Sequence, residues 1–312
     1  MTKDPNQSVY LGIEIGGTKL QIFAGDAAGQ TLAVHRLAVN AAKGAAGIQR
    51  QIAATLATLL PTMKLAGVGV GFGGPVNWQT GRICRSHQIE GWSEFDLGGW
   101  LKGLTGAPVF VDNDANVAAL GETIHGAGVG RNPVFYVTLG SGVGGGLVVA
   151  GKIYHGAMPG EAEIGHLRLD RAGTILESRC SGWAVDARIR ALKTSAPSSV
   201  LCKMMAEQVG GEARHLASAL AQNDPVARQI LQETAEDLAF GLSHVVQLFH
   251  PEVIVIGGGL AGIGEPLRSA VASALRPWIM EAFAPGLQVC LSALSERAVP
   301  LGALELARRA GL

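Results

Sequence analysis

The chain contains one short pattern twice: LGIEIGGTKLQIFAG at residues 11–25 and FYVTLGSGVGGGLVVAG at residues 135–151. Each copy begins with an apolar run, passes through a turn of glycine and small residues, and continues into a second apolar run. A strand, a tight turn and a returning strand produce this pattern. An internal duplication is the simplest explanation, and it predicts two similar α/β domains that face each other across a cleft.

The residues between the two copies predict the rest of a first α/β domain. A third strand is expected over residues 31–39, and apolar residues at helical spacing predict a helix over residues 48–60. Buried strands are expected over residues 66–72 and 109–111. The intervening residues 76–106 are expected to form a long irregular excursion.

Beyond residue 180 the pattern becomes mainly helical. Asp224 and Pro225 are typical of a helix start, as N-cap and first helical residue, and the apolar face that follows extends to Pro251. A buried strand is predicted over residues 252–256. A glycine turn and a further helix are expected to follow it.

The length of 312 residues suits two domains of ordinary size, each with its own core. We place the first domain at residues 1–118 and the second at residues 119–299. A C-terminal helix at about residues 300–312 is expected to pack back against the first domain and close the fold.

The composition indicates a folded protein without an electrostatic surface for nucleic acid. Hydrophobic residues make up 48% of the chain and charged residues 16%, as in globular domains. The 25 basic residues balance the 25 acidic ones, so the net charge attracts neither nucleic acid nor an anionic membrane. An anionic substrate would have to be held locally, by backbone amides, helix N-termini and a metal ion.

The N-terminal residues and the cysteines favour a cytoplasmic location. The first 14 residues, MTKDPNQSVYLGIE, lack the apolar core and cleavage site of a secretory signal. No apolar run reaches the length of a membrane span. The four cysteines are scattered without a CxxC pair, so reduced thiols are expected.

Glycine turns could let a phosphate approach the backbone. Taken alone, Gly16-Gly17-Thr18-Lys19 is better explained as an ordinary hairpin turn. Neither this turn nor residues 140–146 has the GxxxxGK[ST] spacing of a P-loop, and the first turn precedes no helix, unlike a dinucleotide-binding turn. A plain strand-to-helix turn needs one or two glycines, so Gly257-Gly258-Gly259 favours a nucleotide site.

Acidic residues follow the strand at 109–111, where Asp112-Asn113-Asp114 leads into a helix over residues 115–125. A carboxylate at this position is an N-cap by default. The carboxyl end of a buried strand is also where α/β folds place catalytic groups. Both interpretations are open on these residues alone.

A second polar cluster, Glu161, Glu163 and His166, lies in the segment GEAEIGH. Clustered acids and a histidine suggest a metal site, but the HExxH order and nearby cysteines are missing. Hydrogen bonding to a polyol fits these side chains better, since carboxylates accept and imidazole can donate or accept. A polar loop without a ligand is the alternative.

Taken in order, these motifs resemble the ROK family of sugar kinases and related repressors, within the actin-like ATPase superfamily. The resemblance extends from about Tyr10 to the C-terminus. It rests on LGIEIGGTK (11–19), GFGGPVN (71–77), VDNDANVAALGE (111–122), LGSGVGGGLV (139–148), GEAEIGH (160–166) and VIGGG (255–259). It implies two actin-like, ribonuclease H-like α/β domains facing across a cleft, and transfer of the γ-phosphate of ATP to a hydroxyl of a glucose-like or fructose-like hexose.

The resemblance also implies a role for each matched residue. Asp114 would be the general base that takes the proton from the sugar hydroxyl. The residues that would contact the sugar are Gly74, Asn113, Glu163, His166 and Glu177. The residues that would contact ATP are Glu14, Gly16, Gly17, Thr18, Lys19, Gly140, Ser141, Gly142, Gly257, Gly258 and Gly259. Magnesium would accompany ATP near Glu14, which replaces the Asp usual in the family.

The chain departs from the family pattern elsewhere as well. Gly73 stands where Pro is usual. Family members commonly carry CxCGxxGC after the ExGH segment, whose His binds structural zinc with three Cys. Here residues 170–177 are too few for that loop and contain no cysteine, so no zinc is expected and His166 is left to the sugar. The Asn-Leu-x-x-Trp sugar segment appears as residues 88–92, beginning with Gln88, so the sugar's identity does not transfer.

Several alternatives remain. An N-acetylhexosamine kinase and a catalytically silent sugar-binding sensor fit the same motifs. A sugar-responsive repressor is disfavoured because the first strand begins by about Val9, leaving no room for a helix-turn-helix. A non-sugar acceptor is disfavoured by Glu163 and His166. The expected partners are a sugar and ATP, with neither nucleic acid nor membrane, and the family habit implies a homodimer.

Overall fold

The computed structural model describes residues 8–86, 89–160, 162–205, 209–283 and 285–309. Its internal contacts divide the chain into two compact units. The first unit comprises residues 1–129, 146–162 and 296–312, and the second comprises residues 130–145 and 163–295. The domain limits expected at residues 118 and 299 from the sequence stay a prediction.

The first unit is built on a five-stranded sheet with strand order β3-β2-β1-β4-β7. Its strands are β1 (Ser8–Ile15), β2 (Lys19–Asp26), β3 (Thr31–Ala38), β4 (Lys64–Phe72) and β7 (Val109–Asn113). The first three strands pair antiparallel, as the strand-turn-strand pattern predicted. β4 runs parallel to β1, and β7 runs parallel to β4.

Four α-helices of the described residues complete the first unit. They are α1 (Gly44–Leu59), α2 (Leu97–Thr105), α3 (Asp114–His125) and α10 (Ala298–Arg309). Apolar residues of α1 are buried in the same cluster as Leu11 and Ile13 of β1. α10 contacts α3, β1 and β4, and its approach to α3 is close: a Cβ on Gly302 would lie 1.8 Å from the carbonyl oxygen of Val117.

The second sheet also has five strands, in the order β10-β9-β8-β11-β12. The strands are β8 (Val134–Leu139), β9 (Val143–Val149), β10 (Lys152–Ile153), β11 (Val253–Gly257) and β12 (Gln288–Leu291). β8, β11 and β12 run parallel to one another. The division between the units falls inside β9, after Gly145.

Helices follow β10, as predicted. They are α4 (Glu177–Cys180), α5 (Gly182–Ser195), α6 (Val200–Met204), α7 (Leu216–Ala221), α8 (Pro225–Phe249) and α9 (Glu265–Leu275). The predicted start of α8 is confirmed: the Asp224 side chain accepts a hydrogen bond from the backbone nitrogen of Ala227, with Pro225 next in the chain. α8 ends at Phe249, before Pro251. In the described part of the chain, no helix combines the length and apolar character needed to cross a membrane.

One local prediction was wrong. The excursion at residues 76–106 contains a small hairpin, β5 (Val76–Asn77) with β6 (Arg82–Ile83), and the helix α2. α2 is short and contains three glycines, which disfavour helix, so its pattern is weak in the sequence. The helix expected after the triple glycine is present: a 3-10 helix, Gly259–Ile263, follows β11, and the α-helix α9 begins beyond Gly264, whose φ is +81°.

Candidate active site

Asp114 is the first residue of α3, and Asn113 is the N-cap. The Asn113 Oδ1 accepts hydrogen bonds from the backbone nitrogens of Ala115 at 2.9 Å and Asn116 at 3.3 Å. The default expectation that a carboxylate caps this helix was therefore wrong. The amide takes that role, and the half-buried Asp114 is not needed for it.

Asp114 lies where three parallel strands end. The register pairs Ile15 of β1 with Phe72 of β4, and Phe72 with Asn113 of β7. A Cβ on Gly73 would lie 3.4 Å from Asp114 Oδ2 and 3.8 Å from the Cα of Gly16. The structure thus brings the predicted base together with the segment at residues 73–74 and the first glycine turn, at the sheet edge where α/β folds hold ligands.

Asn113 also joins this edge to Gly74. Its Nδ2 donates a hydrogen bond to the carbonyl oxygen of Gly74 at 3.3 Å. Gly74 has a φ of +151°, and a Cβ there would lie 3.1 Å from the carbonyl oxygen of Arg85. Asn113 therefore uses both ends of its amide to fix the backbone around Asp114, and one Nδ2 hydrogen remains for a ligand.

Glu14 stands opposite Gln21 in the β1–β2 pair and is buried. Its Oε1 lies 3.1 Å from Lys19 Nζ, and its Oε2 accepts a hydrogen bond from Gln21 Nε2 at 2.6 Å. Burial raises the pKa of Glu14, while Lys19 and the hydrogen bond from Gln21 oppose that rise.

In the first glycine turn, at residues 16–19, the backbone nitrogen of Gly16 donates to the carbonyl oxygen of Lys19 at 3.0 Å. Gly17 is half-buried and Thr18 is exposed.

Glu177, a predicted sugar contact, supports the glycine turn of the second unit. Its Oε2 accepts a hydrogen bond from the backbone nitrogen of Val143 at 2.9 Å. A Cβ on Gly142 would lie 2.4 Å from the same oxygen. Gly140 closes the turn through its nitrogen, which donates to the Gly142 carbonyl at 3.0 Å. Ser141, between them, is half-buried.

Glu163 and His166 flank a single 3-10 turn, Ile164–His166, and both are exposed. A Cβ on Gly165 would lie 2.2 Å from the carbonyl oxygen of Val143. This close approach sets the predicted sugar-binding turn against the residue that Glu177 also contacts. Within the second unit, the 3-10 turn that carries Glu163 and His166 and the side chain of Glu177 therefore both lie against Val143.

Packing requires glycine at two of the three positions 257–259 and leaves space for a side chain at the third. A Cβ on Gly257 would lie 2.1 Å from Tyr136 Oη. Gly258 has a φ of +81°, and a Cβ there would lie 2.5 Å from the carbonyl carbon of Leu139. The nearest atom to a Cβ on Gly259 is 4.0 Å away. Packing alone thus explains Gly257 and Gly258. The contact between Gly258 and Leu139 also places the three glycines beside the residue that precedes Gly140.

The residues present do not fit a structural zinc ion. No group of three His, Cys, Asp or Glu that could hold a metal occurs in the described ranges. The first cysteine after His166 is Cys180, whose Sγ is buried and donates to the Thr234 carbonyl at 3.6 Å. Burial raises the pKa of this thiol to about 12, and only a thiolate binds metal well.

A short hairpin stands where the zinc loop of the family would be. The backbone nitrogen of Leu169 donates to the Thr174 carbonyl at 2.8 Å, and that of Leu176 to the Leu167 carbonyl at 2.9 Å. Leu176 is fully buried. Arg179 Nε lies 2.7 Å from Asp237 Oδ2 of α8. Protein contacts on both sides therefore hold Glu177 in place.

The sequence did not single out every residue that supports this site. His155 Nε2 lies 2.6 Å from Asp112 Oδ2, although 43 residues separate them in the chain. No spacing or motif relates the two, so no sequence signal could have found the pair. Of the residues discussed from the sequence, Gln88 and Glu161 lie outside the described residues.

Comparison with known proteins decides the family. The model of the ROK family matches residues 10–310. The chain belongs to the ROK family. It is 31% identical over 310 residues to a glucokinase of Streptomyces coelicolor, covering 96% of this chain and 97% of the relative. It is 29% identical over 304 residues to a glucokinase of Thermotoga maritima, covering 95% and 96%.

Solved structures of the ROK family confirm the predicted fold class, the α/β fold of actin-like ATPases. A ROK family glucokinase from Streptomyces griseus, solved with glucose and AMPPNP, matches with a TM-score of 0.84 and 31% identity, covering 96% of this chain and 99% of that one. A ROK hexokinase from Thermus thermophilus matches with a TM-score of 0.80 and 26% identity, covering 97% and 99%. This ROK protein thus matches both relatives over nearly their whole length.

Proposed function

We propose that this ROK protein transfers the γ-phosphate of ATP to a hydroxyl of a hexose, with glucose as the first candidate. The observation that carries the proposal is the position of Asp114, half-buried beside Gly73 at the ends of β1, β4 and β7. The glucokinases of Streptomyces coelicolor and Thermotoga maritima support the choice of sugar.

In this proposal Asp114 is the general base. Its carboxylate takes the proton as the sugar oxygen attacks the γ-phosphorus and the bond to the β-phosphate oxygen breaks. The N-terminus of α3 favours the ionised form of a carboxylate in its first turn. The hydrogen bonds of Asn113 fix the backbone on which Asp114 stands, which keeps the base in place for an in-line reaction.

The glycine turns would hold ATP. Backbone nitrogens at residues 16–19 and 140–142 would donate to phosphate oxygens, and Lys19 would add a positive charge. Gly259 is the position of the triple glycine that packing does not explain, since a Cβ there would meet no atom closer than 4.0 Å, and we propose that it contacts the nucleoside. Magnesium, bound with ATP, would neutralise phosphate charge. Glu14 offers the hard oxygen ligand that Mg²⁺ prefers, and since Lys19 and Gln21 already occupy both oxygens, we expect contact through water.

The sugar would be held by side chains that hydrogen-bond hydroxyls. The exposed Glu163 would accept, and the exposed His166 could donate or accept. Gly74, Asn113 and Glu177 would complete the contacts. We further propose that the protein is a cytoplasmic homodimer that binds neither nucleic acid nor membranes.

The test is ADP release coupled to a chromogenic readout, with Mg-ATP and a panel of hexoses and N-acetylhexosamines. Glucose should drive turnover, and Asp114→Asn should lower kcat roughly 100-fold or more because the base is lost. Glu265→Gln, at an exposed residue of α9, is the matched control and should change little. If calorimetry detects glucose binding but no sugar drives ADP release, the protein is a catalytically silent sugar sensor and not a kinase.

A further inference from the structure

A buried carboxylate, Asp112, lies two residues before the proposed base and takes no part in the reaction described above. It is 2% exposed. Its Oδ1 accepts hydrogen bonds from the backbone nitrogen of Asn113 at 2.8 Å and from Asn116 Nδ2 at 3.0 Å. Its Oδ2 lies 2.6 Å from His155 Nε2. A buried carboxylate persists only with such partners, since its desolvation is costly.

Trp78 holds the imidazole ring of His155 on one face. The imidazole stacks on Trp78 with a centroid distance of 4.2 Å and an interplanar angle of 14°. The side chain is 17% exposed. Because a carboxylate only accepts hydrogen bonds, Nε2 must carry the proton shared with Asp112. The imidazole therefore has one defined orientation, set by an aromatic face and by a buried acceptor.

Asn116 of α3 holds the segment at residues 155–160 from its other end. Its Nδ2 donates to the Gly160 carbonyl at 3.0 Å in addition to Asp112. A Cβ on Gly160 would lie 2.7 Å from the Cβ of His155, so the two ends of the segment 155–160 are close together. This segment is thus attached to the junction between β7 and α3 at both ends.

We infer that His155 is a positioning residue for Asp114: paired with Asp112 and stacked on Trp78, it fixes the β7–α3 junction that carries the base. The inference rests on the proposed function. Loss of the imidazole leaves a buried carboxylate without its third partner, and the backbone of Asn113 and Asp114 must shift or admit water. A displacement of about 1 Å at a catalytic group costs up to roughly 100-fold in rate.

The test is steady-state phosphorylation of glucose by the full chain, comparing the native protein with His155→Ala and His155→Gln. His155→Ala should lower kcat roughly 10-fold to 100-fold, with the KM for glucose and for ATP changed less than about threefold. Gln places an Nε2 donor near the position of the imidazole Nε2, so His155→Gln should recover much of kcat.

His125→Ala is the matched control. His125 Nε2 also pairs with a buried carboxylate, that of Glu305 at 2.9 Å, but at the far end of the same helix, α3. Its kcat should stay within about twofold of native. If His155→Ala folds with native kcat, or if both histidine variants lose kcat equally, the positioning role is wrong.

Hydrogen exchange separates this inference from the proposed function. If the native protein turns over no sugar, the kinase assignment is wrong, but the contact between His155 and Asp112 is unaffected. In that case the amides at residues 113–118 should exchange faster in His155→Ala than in native protein, and should return toward native rates in His155→Gln. Unchanged exchange there would overturn the positioning role, whatever the activity.

Discussion

The carboxylate of Glu177 accepts a hydrogen bond from the backbone nitrogen of Val143, at 2.9 Å. Val143 follows the glycine turn proposed to hold phosphate, and its carbonyl oxygen lies against Gly165 of the proposed sugar-binding turn. One side chain thus stabilises the backbone beside both proposed contacts. We expect changes at Glu177 to affect ATP as well as sugar.

Glu177→Ala should raise the KM for ATP about tenfold, because the lost hydrogen bond to a charged acceptor is worth about 1.5–3 kcal/mol and the turn loosens. The KM for glucose should rise too. Steady-state kinetics with each substrate varied in turn provides the measurement. Glu265→Ala, at an exposed residue of α9, is the control. A change confined to the KM for glucose would show that the hydrogen bond between Glu177 and Val143 does not affect ATP binding.

The triple glycine should separate into structural and ligand-binding positions. Gly258→Ala should destabilise the protein by about 2 kcal/mol or more, since alanine at φ +81° is strained and its Cβ meets Leu139. Gly259→Ala should leave the melting temperature near native and weaken ATP binding instead. Thermal unfolding and ATP calorimetry on both variants test this. Equal destabilisation by the two substitutions would contradict it.

Zinc removal should have no effect. The protein should contain far less than one zinc per chain by elemental analysis, and dialysis against a zinc chelator should leave its melting temperature unchanged. The reason is the donor set: Cys180 is a buried thiol whose pKa burial raises to about 12, and residues 167–179 contain no other cysteine. Stoichiometric zinc, or a lower melting temperature after chelation, would refute this expectation.

Stability should depend on pH through Glu305, which is fully buried in α10. Burial opposes ionisation, but hydrogen bonds from Arg308 and His125 prevail and hold the pKa of Glu305 below its ordinary value of 4.5. A carboxylate whose pKa is lower in the folded than in the unfolded protein stabilises the fold at any pH above its unfolded-state pKa. This stabilisation is lost as the pH falls through its folded-state pKa.

Glu305→Gln should therefore be less stable than native protein at neutral pH by about 2 kcal/mol, as for hydrogen bonds to a charged group, and the difference should shrink below pH 4.5, the ordinary pKa of the group. Urea unfolding of both proteins over a pH series provides the measurement. Glu265→Gln, which removes an exposed carboxylate paired with Arg268, is the control. A difference that stays constant with pH would mean that packing, not charge, accounts for the loss.

Much of the fold could be predicted from the sequence because its signals are local. Apolar runs with glycine turns gave β1, β2, β8 and β9, and Asp224 with Pro225 marked the start of α8. α2 was missed because its three glycines weaken the helical pattern. A helix was expected after the glycines that follow β11, but a glycine run does not indicate that its first turn is a 3-10 helix.

The candidate site was predictable in its residue types and only partly in its contacts. Asp114 and the glycine turns were identified from the sequence, but a carboxylate N-cap was left open as an alternative, and the structure gives the N-cap to Asn113. Asp and Asn cap helices about equally well. The choice depends on the backbone angles of the residue at the junction, which the residue type alone does not fix.

By itself, the sequence determined the fold class, most of the strands and helices, and a set of candidate residues for the chemistry, since each follows from a periodicity or a motif within a few tens of residues. Only the tertiary structure decided that Glu177 supports Val143, 34 residues away, and that His155 pairs with Asp112, 43 residues away. The physical reason is that a carboxylate withdrawn from water, as Asp112 is fully and Glu177 partly, requires partners but does not specify them. Packing of distant segments supplies those partners, and no local pattern records which ones will meet.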